Sequence, residues 1–404
     1  MTGQLYDRYE ELQEELVAIR RDLHMHPEVG HTEERTPAFI ADYLRKLGIG
    51  VRTGVGGRGV VGTLKGGKPG RTIALRADFD ALPIQDEKDV PYKSAVPGVM
   101  HACGHDLHTA TLLGVAKVLS EVREDIPGTV VFIHQHAEEV TPGGAEAMIR
   151  DGCLDGVDTI IGAHVMSHEP FGGVYTMEGY SSSAQDDFEI TIHGKGGHAS
   201  SPHTTIDPLV TGSQLVVHFQ QIISRRVNPM HSGVLTIGSF QSGEATNVIP
   251  DKAVLKGTVR TYAPEARDLI EEAMERLTRT TCEGNGADYE FKYVRDCPSI
   301  YNDAGETARV AKVAAAIFGE DEVHEGEPMS GSEDFAYYTQ HVKGTYFTVG
   351  GGNPDIGAEY PHHHPKFDVD ERSMQYIGKT FIGTVFDFLG EAEKSAESAA
   401  EINV

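Results

Sequence analysis

Over the first 180 residues, short continuous apolar runs alternate with segments whose apolar residues recur at the spacing of a helix. Three segments carry apolar side chains at helical spacing, and four are continuous apolar runs of the length of a buried strand. Because continuous apolar strands separated by helices are buried on both sides, we predict an α/β fold whose sheet is covered by helices on both faces. The predicted helices are Glu11–Leu23, Arg35–Leu47 and His108–Val122, and the predicted strands are Val60–Leu64, Thr72–Arg76, Thr129–His134 and Thr159–Ala163.

The pattern changes near Ser181 and again near Pro298. Between them the order strand, helix, strand, strand, helix, strand is that of a ferredoxin-like β-α-β-β-α-β domain. We therefore predict that residues 1–184 and 296–404 form one domain and that residues 185–295 are inserted into it. The elements of the insert are predicted at Phe188–Ile192, Pro208–Ser224, Gly233–Phe240, Ala253–Tyr262, Pro264–Thr280 and Tyr289–Val294.

Charge and composition narrow the class of protein. The 404 residues carry a formal net charge of -26, which argues against a nucleic-acid partner because phosphates would be repelled. No apolar stretch is long enough to span a bilayer, so we expect no membrane association. Tyr6–Arg21 is predicted to be a charged amphipathic helix without the apolar core of a signal peptide, and we expect a cytoplasmic protein.

Candidate metal ligands follow several of the predicted strands. Cys103 and His105 stand two residues apart on a turn with a glycine between them, and Glu138 and Glu139 follow the strand Thr129–His134. His164 follows the next strand directly. A histidine tract, His362 to His364, lies between two prolines in a late loop. Taken singly, each has an ordinary alternative: a solvated acidic loop, a structural histidine or a surface histidine tract.

Together these residues offer more donors than one closed zinc site needs. Cys103, His105, Glu139, His164 and one of the three tract histidines suit two ions that share a ligand around an activated water. Cys103 can be the shared ligand, because a bound metal depresses the pKa of a thiol. Asp80, at a neighbouring strand end, is placed to orient His105. Because adjacent side chains diverge, one of Glu138 and Glu139 can bind a metal while the other acts as a base.

Seven short motifs occur in the order of a known family. The chain resembles the M20 metallopeptidase/amidohydrolase family, in the branch of N-acyl-amino-acid amidohydrolases, hippurate hydrolases and indoleacetyl-amino-acid hydrolases. This resemblance implies a zinc-exopeptidase-like α/β domain with an inserted lid or dimerisation domain. The motifs are Arg76 to Pro83, Met100 to Asp106, His134 to Glu139, Gly194 to Ala199, Ala245 to Pro250, Ser330 to Phe335 and His363 to Pro365.

The resemblance also implies which residue has which role. Cys103 would bridge two ions, with His105 and His164 on one and Glu139 and His363 on the other. His363 is chosen because it stands two residues before Pro365, with its two neighbours in the tract as alternatives. The ions would be manganese, zinc, cobalt or nickel.

The same resemblance assigns roles inside the insert. His198 would stabilise the oxyanion, in relatives often from the partner subunit. Asn247 and Arg260 would hold the carboxylate of the substrate, for which an arginine fork is chemically suited. A homodimer or homotetramer formed through the insert is implied by the resemblance alone.

The expected function is hydrolysis of the amide bond of a small-molecule N-acyl amino acid to a carboxylic acid and a free amino acid. Glu138 would act as general base on a water held by the metals and then return the proton to the leaving amine. The alternative within enzymes is a dipeptidase or carboxypeptidase with the same site. An alternative from another class is a binding protein that kept the fold and lost the chemistry.

Overall fold

A computed structural model of the protein describes residues 2–402, and their side chains as far as Glu391. The helices are α1 Thr2–Glu10, α2 Gln13–Met25, α3 Arg35–Lys46, α4 His105–Glu121, α5 Gly144–Arg150, α6 Pro208–Arg225, α7 Pro264–Asn285, α8 Ala304–Phe318, α9 Phe335–Thr339 and α10 Ser373–Ile402. Among the described residues, no helix combines the length and apolar character that a membrane span requires.

The strands alternate with these helices along the chain. They are β1 Gly50–Val55, β2 Gly59–Lys65, β3 Lys68–Asp78, β4 Pro127–Gln135, β5 Thr159–Pro170, β6 Gly172–Thr176, β7 Gly179–Tyr180, β8 Ala184–His193, β9 Gly197–His198, β10 Gly233–Ser242, β11 Val248–Ile249, β12 Lys252–Thr261, β13 Asp288–Arg295, β14 Tyr301–Asn302, β15 Val323–Glu325 and β16 Lys343–Gly352.

The chain divides into two compact units. The first comprises the residues up to Gly179, Tyr301–Glu327 and those from Asp334 onward. The second comprises Tyr180–Ile300 and Pro328–Glu333. The second unit therefore includes Pro328–Glu333, a short segment that follows the insertion in the sequence. The pattern of strands and helices does not reveal this.

The first unit is built on an eight-stranded sheet with the order β1-β2-β4-β3-β5-β16-β6-β15. Its four central strands, β4, β3, β5 and β16, run parallel, while β1, β2 and β6 pair antiparallel at the sides. The carboxyl ends of the central strands therefore meet at one edge, which is where ligands bind in sheets of this kind.

Helices cover both faces of this sheet, as the apolar runs predicted. Alternate residues of β3, such as Ile73 and Leu75, belong to a core with α1–α4, α8 and α10. On the opposite face, Tyr338 of α9 donates a hydrogen bond of 3.1 Å to Gln135 at the end of β4. Phe335 of α9 packs on the ring of Tyr346, with 4.8 Å between the ring centroids.

The second unit has a four-stranded antiparallel sheet with the order β10-β12-β8-β13. This is the strand order of a ferredoxin-like sandwich, and α6 and α7 pack on one side of it. Asp207 caps α6, because its carboxylate accepts hydrogen bonds from Leu209 N and Val210 N at 2.9 and 3.2 Å. The core contains Phe188, Ile190, Ile192, Leu215, Phe219, Ile222, Ile270 and Met274.

Three sequence expectations about individual elements are corrected. The predicted amphipathic helix Tyr6–Arg21 is interrupted, since α1 ends at Glu10 and α2 starts at Gln13. Helix α4 begins at His105, three residues before its predicted start. Strand β5 continues past Ala163 as far as Pro170, because β16 remains paired with it beyond the point where β3 ends.

Candidate metal centre

The glutamate pair lies directly after the end of β4. Ala137, just before the pair, has a φ of 52°, a left-handed conformation that is uncommon for a residue with a side chain. Two hydrogen bonds of 3.0 Å hold it: Ala137 N donates to Glu33 Oε1, and Gly144 N donates to Ala137 O. This turn directs Glu138 and Glu139 away from the strand.

The turn before α4 brings a thiol and an imidazole to the same place. Gly104, at the N-terminal cap of the helix, has a φ of 99°, and a Cβ there would lie 2.6 Å from Val165 Cγ1. The position therefore requires glycine both for its backbone conformation and for its close approach to β5. Cys103 and His105 on either side of it have donor atoms within 4.8 Å of each other and of a Glu139 oxygen.

Asp80 orients two of these candidate ligands at once. Its Oδ1 lies 3.1 Å from His105 Nδ1, and its Oδ2 accepts a hydrogen bond of 3.0 Å from Glu139 N. Burial works against the charged carboxylate, yet the hydrogen bonds from His105 and Glu139 N lower the pKa of Asp80. Asp80 is therefore an acceptor that keeps the proton of His105 on Nδ1.

The second nitrogen of His105 points at a site without a protein partner. His105 Nε2 and Glu139 Oε1 are both buried, and neither makes a hydrogen bond of good geometry within the described part of the chain, although His363 Nε2 lies 3.2 Å from Glu139 Oε1. They lie 3.9 Å apart. Since buried polar atoms are almost always hydrogen-bonded, two such atoms facing each other fit a bound cation. A nitrogen lone pair, a carboxylate oxygen and a thiolate are suitable donors for a divalent transition metal.

His164 completes this side of the cluster. Its Nδ1 donates a hydrogen bond of 2.7 Å to the carbonyl of Val165, so the lone pair of the neutral ring is on Nε2. That atom lies 3.4 Å from Cys103 Sγ. Burial lowers the pKa of His164 well below its ordinary value, which keeps the ring in the neutral form that binds metals.

The histidine tract contributes two residues in different ways. His363 Nε2 lies 3.2 Å from Glu139 Oε1, and the side chain is 52% exposed. Its backbone has a φ of 63° and is held by a hydrogen bond of 2.8 Å from His363 N to Ala102 O. His362 lies on the other side, with Nδ1 3.5 Å from Cys103 Sγ. His364 turns away and accepts a hydrogen bond of 3.0 Å from Lys366 N.

Glu138 lies at the edge of the cluster and is half-buried. Its Oε1 accepts a long hydrogen bond of 3.4 Å from Asp334 N. Burial raises the pKa of the Cys103 thiol most, and the carboxylates of Glu139 and Glu138 raise it further. A cation in the cluster would oppose these effects and favour the thiolate.

The remaining predicted site residues, His198, Asn247 and Arg260, belong to the second unit. His198 on β9 pairs with Val248 of β11, and Ala199 N donates to Asn247 O at 3.1 Å. Ser200 N donates to His198 Nδ1 at 3.1 Å, so the ring proton of the neutral form is on Nε2.

Arg260 lies in the middle of the sheet of the second unit. On β12 it is opposite Gln185 of β8 and Val234 of β10. Its neighbour Val259 belongs to the core beneath the helices, so Arg260 faces the other side of the sheet. Nothing in the described part of the chain forms an ion pair with its guanidinium, and an anion from outside is a suitable partner.

Comparison with known proteins identifies the family. The sequence profile of peptidase family M20/M25/M40 matches residues 74–384. The chain belongs to the M20 family. The match includes the candidate ligands from Cys103 to His363.

Relatives of this M20 protein match between 70% and 94% of its length. It is 50% identical over 93% of its length to YhaA of Bacillus subtilis, a protein named provisionally as an amidohydrolase, of which 95% is covered. It is 44% identical over 70% of its length to an N-acyl-L-amino acid amidohydrolase of Geobacillus stearothermophilus, of which 77% is covered. The crystal structure of YXEP from Bacillus subtilis, described as a dinuclear metal-binding peptidase, superimposes with a TM-score of 0.83 at 35% identity, covering 94% and 99% of the two chains.

Several buried polar residues around the site were missed from the sequence. His108 is fully engaged: its Nδ1 is 2.7 Å from Asp78 Oδ1, and its Nε2 accepts a hydrogen bond of 3.0 Å from Val165 N. Arg76, buried at the end of β3, donates to Gln135 and Asp334 at 2.9 Å each. The available signal was the presence of Arg76 and Asp78 at the end of an otherwise apolar strand, because charges at such positions require partners.

Proposed function

We propose that this M20 protein is a two-metal amidohydrolase that cleaves N-acyl amino acids into a carboxylic acid and a free amino acid. The observation that carries the proposal is that His105 Nε2, a buried atom without a hydrogen bond, belongs with Cys103 and Glu139 to a group whose donor atoms all lie within 4.8 Å of one another. The Geobacillus relative named for this activity and the Bacillus structure described as dinuclear support it.

The proposed ligand set is the one expected from the sequence. Cys103 would be shared, with His105 and His164 on one ion and Glu139 and His363 on the other. The donors suit manganese, zinc, cobalt or nickel. When bound, such ions polarise an amide carbonyl and make a water molecule more acidic.

Glu138 performs the proton transfers in this proposal. Its carboxylate takes a proton from the attacking water and returns it to the amide nitrogen as the amine departs. A carboxylate suits both steps, because it is charged before the attack and protonated when the leaving group needs a proton. The hydrogen bond of 3.4 Å from Asp334 N to Oε1 limits the rotation of the side chain without removing its charge.

The second unit supplies substrate contacts. With Ser200 N bound to Nδ1, His198 presents Nε2–H as a donor to the oxyanion that develops on the amide carbonyl. Asn247 and the unpaired guanidinium of Arg260 suit the carboxylate of the amino-acid product. In this proposal the second unit acts as a lid and as the contact between subunits of a homodimer or homotetramer.

The second candidate is a dipeptidase or carboxypeptidase, favoured by the description of the Bacillus structure as a peptidase. One assay separates the two. Protein stripped with a chelator and reloaded with manganese, zinc, cobalt or nickel is given acetyl, benzoyl, long-chain and indoleacetyl amino acids, and dipeptides in parallel. Metal-dependent release of amino acid from the acyl series supports the amidohydrolase. Cleavage of dipeptides alone moves the assignment to peptidase, and inactivity on both contradicts the proposal and favours a binding protein.

A further inference from the structure

His362 lies against Cys103 without the features of a metal ligand. Its Nδ1 is 3.5 Å from the sulfur, about the distance of His164 Nε2 on the same sulfur, which is 3.4 Å. By distance alone the two rings are equivalent, and both belong to a group of residues that could hold a metal ion. Their hydrogen bonds to the backbone distinguish them.

The backbone of β5 determines where the proton of His362 is. Ser167 N donates a hydrogen bond of 3.1 Å to His362 Nε2. A backbone N–H is only a donor, so Nε2 must present its lone pair, and the proton of the neutral ring is on Nδ1. The nitrogen that faces Cys103 therefore carries a hydrogen and has no lone pair to offer a metal.

His164 has the opposite arrangement. Its Nδ1 donates to the Val165 carbonyl at 2.7 Å, which leaves a lone pair on the nitrogen facing Cys103. Two backbone groups of β5 therefore set the two rings differently. The Val165 carbonyl leaves His164 with a lone pair towards the sulfur, and the Ser167 N–H leaves His362 with an N–H towards it. Both assignments follow, for neutral rings, from the backbone group that each ring meets.

Packing fixes the ring of His362 in this position. Its centroid is 4.8 Å from that of Phe367 and 5.3 Å from that of His164. A flip of the ring would put Cε1–H in the place of Nε2 and leave the Ser167 N–H without an acceptor. His362 is therefore held as a donor.

We propose that His362 is a positioning residue that donates an Nδ1–H hydrogen bond to the Cys103 thiolate of the metal centre and does not itself bind metal. The inference rests on the two-metal site of the proposed function. A thiolate shared by two ions keeps one lone pair, and this N–H is directed at the sulfur. Such a hydrogen bond withdraws electron density from sulfur and tunes its bond to the metals.

Cobalt-substituted protein gives a readout that does not depend on turnover. A thiolate bound to Co²⁺ absorbs in the near ultraviolet through sulfur-to-metal charge transfer, and a hydrogen bond to sulfur moves this band to shorter wavelength. The variants are H362Q, whose amide oxygen can replace Nε2 but leaves no donor at sulfur, and H362N, whose amide NH₂ can replace Nδ1–H. H324Q, on β15 beside the ring of Tyr175, is the control. Folding is checked by circular dichroism and cobalt content by metal analysis.

The expected result is a band at longer wavelength in H362Q, recovery towards the original wavelength in H362N, no change in H324Q, and unchanged cobalt content in all. An unchanged band in H362Q would overturn the inference. Loss of cobalt from both H362Q and H362N would overturn it too, because His362 would then be a ligand. Absence of the band from the original protein would instead contradict the proposed metal site, of which Cys103 is part.

Discussion

Two consecutive residues at the start of α4 belong to two buried polar clusters of opposite kinds. His105 faces the candidate metal centre, where its Nε2 has no hydrogen-bond partner within the described residues. Asp106 faces a cluster of charges in which its Oδ2 lies 2.7 Å from His24 Nδ1 and 2.8 Å from Arg20 Nε. The first turn of α4 therefore contributes one residue to a site that has a ligand atom without a partner and the next residue to a site in which the charges are paired.

The charged cluster is closed by its own members. Arg20 is fully buried and contacts Asp106 and, at 2.7 Å, Asp368. Lys88 Nζ donates to His24 Nε2 at 2.9 Å and lies 3.3 Å from Asp368. This arrangement lowers the pKa of Asp106 well below its ordinary value against the opposing effect of burial, chiefly through the charge of Arg20.

The two clusters show which buried charges indicate function and which are explained by the fold. Removing charges from water costs several kcal/mol per ion, and a protein recovers that only by pairing them. The charged cluster does so and can be explained by the fold alone. The cluster around Cys103 pairs Asp80 with His105 and Glu139 with His363 but leaves His105 Nε2 without a partner, and a bound cation is the partner that would complete it.

The largest effect is expected from Glu138→Gln, which removes the proposed base and keeps its shape. Turnover of the best acyl amino acid should fall about 10²–10⁴-fold, while metal content stays as in the original protein. Steady-state kinetics and metal analysis measure both. Glu146→Gln, at an exposed glutamate of α5 that pairs with Arg150, is the control and should change neither. Turnover that survives in Glu138→Gln would mean that another group is the base.

Substitutions in the charged cluster should lower the unfolding free energy of the protein. Arg20→Met leaves Asp106 buried without its guanidinium partner and should cost about 3–5 kcal/mol of unfolding free energy. Arg21→Met is a matched control, because Arg21 also binds Glu371 but is 41% exposed. It should cost less than about 1 kcal/mol. Urea unfolding measures both, and equal losses would contradict the view that burial decides the outcome.

The architecture could be predicted from the sequence because its signals are local. Apolar runs in β3, β4 and β5 and the repeated strand-helix order gave the parallel sheet and the ferredoxin-like insert. The break between α1 and α2 could not be predicted, because apolar residues on both sides of it follow a helical period. The assignment of Pro328–Glu333 to the second unit depends on contacts between segments distant in the sequence.

The candidate ligands could be named from the sequence, but the different contacts of the histidines in the tract could not. The motif pattern singled out His363 from the tract, and its Nε2 lies next to Glu139. The position of His362 against Cys103, and its hydrogen bond from Ser167 N, arise from packing between a late loop and β5. Spacing along the chain contains no information on that contact. The partners of Arg20, such as Asp368, were missed for the same reason.

Metal should stabilise the first cluster and leave the second unaffected. At a free metal concentration about 100 times the dissociation constant, binding should add about 2.7 kcal/mol to the unfolding free energy. The increase should persist in Arg20→Met, if that variant folds, and disappear in Cys103→Ala. Thermal or urea unfolding with and without a chelator measures it. Equal stabilisation of the Cys103→Ala protein would place the metal elsewhere.

The smallest effect is expected from substitution of two aspartates, one at each cluster, that both accept hydrogen bonds from neighbouring groups. Asp80 accepts from His105 Nδ1 and Glu139 N, and Asp86 accepts from Lys88 N and Ser94 N, both at 3.0 Å. Asparagine at either position keeps one acceptor and turns an NH₂ group towards a donor, so both variants lose a hydrogen bond.

In Asp80→Asn the side chain loses the charge that helps to keep the His105 proton on Nδ1, away from the proposed metal, and the Asp80 carbonyl at 3.0 Å remains as an acceptor. Metal affinity should therefore fall about 10–100-fold, or about 1.4–2.7 kcal/mol. Asp86→Asn should lower the unfolding free energy and leave metal affinity unchanged, because Asp86 lies against the charged cluster, with its Oδ2 3.4 Å from His24 Nε2. Competition with a chelating dye measures the affinities. A similar loss of affinity in both variants would mean that the two clusters act as one unit, and the distinction between them would fail.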